Sequence, residues 1–216
     1  VQQPPSEVDE LAEELNEEGV ISVEGYLEPD TCDEIREEVE TKVENDEFEK
    51  SEDASNLMEA SRTVLVERGG EWNWDQGMLD IFNIDETIPE TAEIKGNDFI
   101  SDIINGADGS VEYTPENINV YFNRSVTNTR GFHADSYGGQ YKAFVYLTDV
   151  PDESYGPYSY IKGSHKKTKL MRKAEGVINR MRGTHPTNAI SYDEDDVIKF
   201  TAPKGTLIIS DQSGYH

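Results

Sequence analysis

The chain has 216 residues, 35% of them hydrophobic and 9% aromatic, enough for one domain with a substantial core and too few for two ordinary ones. Its formal net charge of -26 opposes binding to nucleic-acid phosphates and anionic membranes, and no apolar run approaches the roughly 20 residues of a membrane-spanning helix. Cys32 is the only cysteine, which excludes an internal disulfide and a cysteine-based zinc site and leaves His, Asp and Glu to hold any metal. The opening VQQPPSEVDE has no basic-then-apolar leader pattern, so a soluble, cytoplasmic protein without a membrane partner is expected.

In chain order, EVDELAEELNEEG carries Val8, Leu11, Ala12 and Leu15 at helical spacing, with Gly19 as a stop. VISVEGYL then alternates like a strand, and Pro29-Asp30-Thr31 opens a second helix with Ile35, Val39 and Val43 as its buried stripe. Residues 1–60 hold 22 acids against Arg36, Lys42 and Lys50, an acidic helix-strand-helix opening. Residues 51–115 are irregular apart from a helix in DFISDIINGADG; Trp72 and Trp74 lie between glycines there, where packing outweighs a pocket role.

From Asn117 onward the texture changes. NINVYFNRS, FHADS, QYKAFVYLTDV, YSYIKGS, DVIKFTA and GTLIISD are short, rich in Val, Ile, Tyr and Phe, and punctuated by Gly and Pro, the pattern of antiparallel strands. KKTKLMRKAEGVINRMRG interrupts them with helical composition. The expected class is mainly β with flanking helices (α+β): a jelly-roll, double-stranded β-helix barrel of cupin type over 117–216, with the N-terminal helices packed on it and all 216 residues forming one domain.

His133-Ala134-Asp135 places two donor side chains two residues apart, so on a strand both point to one face. His216, at the end of GTLIISDQSGYH, follows a glycine turn and an apolar strand and offers a third. Two histidines and one carboxylate with the opposite positions open form the facial triad of non-haem Fe(II) oxygenases.

HAD, then GPYSYIKGSHK, then GTLIISDQSGYH together resemble the phytanoyl-CoA dioxygenase family, and the opening helix, GVISVEGYL and EPDTCDEI resemble that family's start. Thr206 stands where the family has an acid after the glycine. The resemblance implies Fe(II) held by His133, Asp135 and His216, and 2-oxoglutarate and O₂ as cosubstrates. The implied reaction is hydroxylation of a small molecule; chlorinating relatives lack the carboxylate that Asp135 supplies. The family's cosubstrate arginine lies some ten residues past the distal histidine, so the natural chain is expected to continue beyond His216. Within this sequence Lys142, Arg124 and Arg130 are alternative carboxylate partners. Tyr121 and Asn123, on one strand face before HAD, are open to a cosubstrate contact or a solvated role.

His165, in GSHK, reads as a turn residue, and His185, before Pro186, as a loop residue. The run Lys162 to Arg182 holds eight basic residues against Glu175. It reads either as a lid drawing in an anionic small-molecule substrate or as a helix whose charges pair with the acidic N-terminal helices. The competing functions are a cupin-like metal enzyme that does not use 2-oxoglutarate and a non-catalytic binding protein on the same barrel. A nucleic-acid demethylase fits the net charge poorly.

Overall fold

The structure is a computed structural model that describes residues 5–51, 62–69, 75–109, 112–123, 126 and 129–216; Trp72, Trp74 and Arg124 lie outside these. It is a mixed α+β fold that divides into two compact units. One comprises Val1–Cys32, Phe99–Tyr113 and Gly131–His216, and the other Asp33–Asp98 and Thr114–Arg130.

In the first unit, helix α1 (Pro5–Glu18) leads into β1 (Val20–Val23), and α4 (Asp98–Ala107), β6 (Tyr141–Val145), β7 (Ser159–Ile161), α5 (Lys169–Met181), β8 (Val197–Lys199) and β9 (Leu207–Asp211) complete it. The last strand is the central one: β9 pairs antiparallel with β1 on one side and β6 on the other. Its period of two sorts the core. Leu207 and Ile209 face α1 and α4, where they meet Leu15, Ile21 and Ile103. Ile208 faces the other way, toward Tyr160, Phe200 and Phe144. A strand buried on both faces reads as an unbroken apolar run, which LII is. Each fully buried Leu or Ile contributes about 1.5–3 kcal/mol.

Two features hold β9 in place. Gly205 turns into it with φ +83, and a Cβ at that position would fall on the Leu27 carbonyl, so glycine is required twice over. Thr206 is fully buried and donates its hydroxyl to Pro203 O at 2.8 Å, so the turn is closed by a side chain that needs no charge.

Helix α5 is inverted. Its polar side is buried: Arg172 donates to the carbonyls of Ser164, His165 and Lys167, and Asn179 to those of Pro186 and Asn188. Leu170 and Met181 face outward, 78% and 83% exposed. The pairing account of the basic run therefore changes: among the described residues Lys162 pairs with an α1 acid, Glu18 at 3.4 Å, while Lys167 pairs with Glu175 of α5 and Arg172 donates to backbone carbonyls.

The second unit holds most of α2 (Pro29–Glu44) and α3 (Glu90–Lys95), with a four-stranded sheet in the order β2 (Glu49–Lys50), β3 (Val64–Glu67), β4 (Met78–Phe82) and β5 (Val120–Asn123). β2 and β3 are parallel and the rest antiparallel. Two of these strands, β3 and β4, lie in the stretch that reads as irregular from sequence. Among the described residues no sheet closes on itself, and no helix is long and apolar enough to cross a membrane.

Candidate metal centre

His133 and His216 are placed by backbone pairing. His133 N–H donates to His216 O at 3.0 Å and His216 N–H to His133 O at 2.9 Å. This reciprocal exchange is the hydrogen-bonded pair of an antiparallel ladder, which sets the two side chains on one face. Their rings lie 4.7 Å apart between centroids. Asp135, two residues on, shares that face. The segment is less regular than the strand expected for FHADS. Outside the isolated His133–Asn188 bridge it forms no ladder, because Gln212 O accepts from both Asp135 N–H and Ser136 N–H and the register stops there.

Helix α5 ties down all three ligand-bearing segments. Tyr215, beside His216, donates its hydroxyl to Glu175 at 2.5 Å. Asn179 donates to Asn188 O at 2.7 Å, opposite His133. The Arg172 guanidinium lies 4.6 Å from the ring of Tyr137, two residues past Asp135. A charged, partly buried helix face is thereby used to fix geometry.

The donor atoms converge. One ligand atom from each of His133, Asp135 and His216 lies within 4.8 Å of the others. Asp135 Oδ1 is 3.3 Å from His133 Nε2 and 3.6 Å from His216 Nε2, close to the roughly 3 Å between neighbouring donors on an ion held by bonds of about 2.1 Å. His133 Nδ1 is 3.0 Å from Gly131 O, and His216 Nδ1 is 3.3 Å from Gly214 O. A carbonyl oxygen only accepts, so each Nδ1–H donates to its carbonyl and each ring turns its Nε2 toward Asp135. Two imidazole nitrogens and one carboxylate oxygen converging on one point form a donor set that fits divalent iron. Burial alone would raise the Asp135 pKa, but the contacts with His133, His216 and Lys142 outweigh it and hold the carboxyl well below the usual carboxylate range.

Lys142 on β6 meets the site, with Nζ 2.5 Å from Asp135 Oδ2. Beside it is a polar cluster that the sequence reading did not single out. Tyr158 and Ser210 share a hydrogen bond of 2.8 Å between hydroxyls, Gln212 donates to Ser210 Oγ at 2.8 Å, and the Tyr158 ring stacks 6.0 Å from His216. Ser210 and Gln212 are fully buried. Ser210 near the end of an apolar strand and Gln212 just past it were the available signal. Tyr121 and Asn123 belong to the second unit, on β5, where the Arg68 guanidinium lies 5.6 Å from the Tyr121 ring. Arg130 ends that unit.

His185 sits in a local turn with Thr187. His165 packs against α1: Nε2–H donates to Asn16 O at 3.0 Å, and burial is the main cause of its lowered pKa. A depressed histidine pKa gives stability that is present above the unfolded value of about 6.5 and is lost as pH falls through the folded one. The Tm difference between wild type and His165→Gln is therefore expected to shrink between pH 7.5 and pH 5; a gap constant with pH would contradict a buried neutral imidazole.

No protein-family model matches the chain, and no curated protein matches its sequence. Among solved structures, the chain is similar to the non-haem alpha-ketoglutarate-dependent epimerase SnoN from nogalamycin biosynthesis, at 15% identity and TM-score 0.62, with 98% of this chain and 76% of that one covered. A structure of the same epimerase with Fe3+, alpha ketoglutarate and nogalamycin RO gives 15% identity, TM-score 0.61 and coverage of 98% and 77%. At this identity the likeness is one of fold, and it extends over nearly the whole of this chain.

Proposed function

We propose that the protein is an Fe(II)- and 2-oxoglutarate-dependent oxygenase that holds iron on His133, Asp135 and His216 and hydroxylates a small molecule. The observation that carries this is the convergence of two Nδ1-anchored imidazoles and one carboxylate oxygen on a common point. The fold shared with an enzyme solved with iron and alpha ketoglutarate supports it. So do the HAD and GSHK motifs of the phytanoyl-CoA dioxygenase type and the jelly-roll reading of the strand series.

His133, Asp135 and His216 would hold the iron, which with 2-oxoglutarate and O₂ would supply the oxidising chemistry for a substrate C–H bond, 2-oxoglutarate being converted to succinate and CO₂. The chain's part is to hold three donors on one side and keep the opposite side free. Asp135 is 29% exposed, so the cluster is reachable from outside. Phe144 and Tyr158, their rings 4.7 Å apart, line the inner face beside His216. The hydroxyl of half-buried Tyr158, held by Ser210 and Gln212, is a candidate for a neutral hydrogen bond to a cosubstrate carboxylate; Tyr121 and Asn123 are further candidates for that contact.

Epimerisation is a second reading, favoured by SnoN, whose fold this chain shares. It begins with the same C–H cleavage and ends without oxygen in the product. Anaerobic addition of Fe(II) and 2-oxoglutarate should give the weak visible charge-transfer band of the chelate, absent in His133→Ala. In air, succinate should form. A product heavier by one oxygen then indicates hydroxylation, and an inverted centre without mass change indicates epimerisation. Iron binding without succinate would point to a metal enzyme that does not use 2-oxoglutarate, and no iron binding to a binding protein on the same fold.

A further inference from the structure

Lys142 was expected, from sequence, to meet the carboxylate of 2-oxoglutarate. Its carboxylate partner in the structure is Asp135. On β6, Tyr141 and Val145 turn toward the α1 and α4 core, and Phe144 turns to the opposite face with Tyr160 and Phe200. Lys142, two residues before Phe144 and paired in register with Ser210, takes the same inner face. From there its four-carbon stem reaches Asp135 Oδ2 at 2.5 Å. The other oxygen, Oδ1, is the one that faces the two imidazoles. The carboxylate is thus divided, one oxygen to the ammonium and one to the histidines.

We infer, on the metal-centre reading above, that Lys142 is a positioning residue: it fixes the rotamer of Asp135 and keeps it a one-oxygen ligand. A carboxylate without such a partner can swing out of the site or close on an ion with both oxygens, occupying a position that a chelating cosubstrate needs. Backbone pairing fixes His133 and His216 directly, through the exchange of N–H bonds between them. Asp135 side-chain orientation has no such guarantee, because its N–H bond to Gln212 O holds the main chain alone. Lys142 supplies the missing constraint from β6, which is paired along its length with the central strand β9. Partners of this kind around metal ligands are worth about 10- to 100-fold in metal affinity.

The test is anaerobic Fe(II) titration of the wild type, Lys142→Met and Lys142→Arg, each also titrated with 2-oxoglutarate at saturating iron. Lys142→Met keeps the stem length and removes the charge. Its Fe(II) affinity is expected to fall about 10- to 100-fold, with substantial recovery in Lys142→Arg, which can still donate to Oδ2. Unchanged Fe(II) affinity in Lys142→Met with weakened 2-oxoglutarate binding would overturn the inference and assign Lys142 to the cosubstrate. Equal losses in Met and Arg variants, together with a lowered Tm of the metal-free protein, would overturn it in favour of a packing role. A wild type that binds no Fe(II) fails at the metal centre itself and takes this inference down with it.

Discussion

Asp135→Ala is expected to abolish 2-oxoglutarate turnover and to weaken Fe(II) binding by more than about 100-fold, beyond the effect of removing a mere supporting partner of a ligand. Three effects act in the same direction. The variant removes the single anionic donor of the set, so the ion is left with two neutral imidazoles. It frees the Lys142 ammonium, now held at 2.5 Å from Oδ2, to repel a divalent ion from close range. It also removes the contact that orients Nε2 of both histidines toward one point. The fold should survive, because Asp135 contributes to the backbone network through its N–H bond to Gln212 O, which alanine retains. The check is Fe(II) titration and succinate release beside a thermal melt of the metal-free protein. Turnover retained at the wild-type rate would remove Asp135 from the ligand set, and a collapsed Tm would show that the loss came from unfolding.

How much of this was legible depends on which physical signal each element leaves. Helices α1 and α2 carry a 3.6-residue stripe and α5 a helical composition, and the structure places them at Pro5–Glu18, Pro29–Glu44 and Lys169–Met181. For α5 composition alone does not say which face is buried. Here hydrogen bonds from Arg172 and Asn179 to loop carbonyls decide it. The strand expected over VISVEGYL stops at Val23 because Gly25 has φ +69 and Leu27 N–H turns to Gly205 O instead.

Strands β3 and β4 were missed for a different reason. Val64, Leu65 and Val66 are buried in succession, so no alternation marks them. β4 contains buried Asp80, paired with Arg68 at 2.8 Å, and a charge inside a strand breaks the pattern that sequence reasoning relies on.

The candidate site was more legible than its surroundings. The two-residue spacing of His133 and Asp135 states that they share a face, and the glycine turn and apolar strand before His216 state where a third donor could come from. Neither states that Lys142 would face Asp135, because the alternation along β6 assigns a side and not a partner. The contacts of Tyr215, Asn188 and Tyr137 with α5 depend on the path of residues 162–189, which composition alone does not describe.

Gly214→Ala is expected to lower the Tm by several degrees and to weaken Fe(II) binding as well, although Gly214 donates no side chain to the site. A Cβ at Gly214 would fall on the Tyr160 hydroxyl and crowd Ser164 Oγ. Neither atom can move freely. Tyr160 is fully buried and donates to Asp211 O at 2.9 Å, and Ser164 Oγ accepts from Tyr215 N–H at 2.7 Å. Any relief therefore pulls on the residues flanking Gly214, including the one next to His216, and also disturbs the Gly214 carbonyl that fixes His216 Nδ1. Overpacking of this kind costs about 1–3 kcal/mol, and in a chain of this size each kcal/mol shifts the Tm by roughly 2–4 °C. Gly138→Ala is the matched control: its Cβ would meet Ser136 Oγ at an ordinary 3.6 Å, so stability should stay within about 0.5 kcal/mol. Thermal melts and Fe(II) titrations of the two variants separate the cases. Equal behaviour would mean that the turn before His216 yields without cost, and that His216 is held by its exchange with His133 alone.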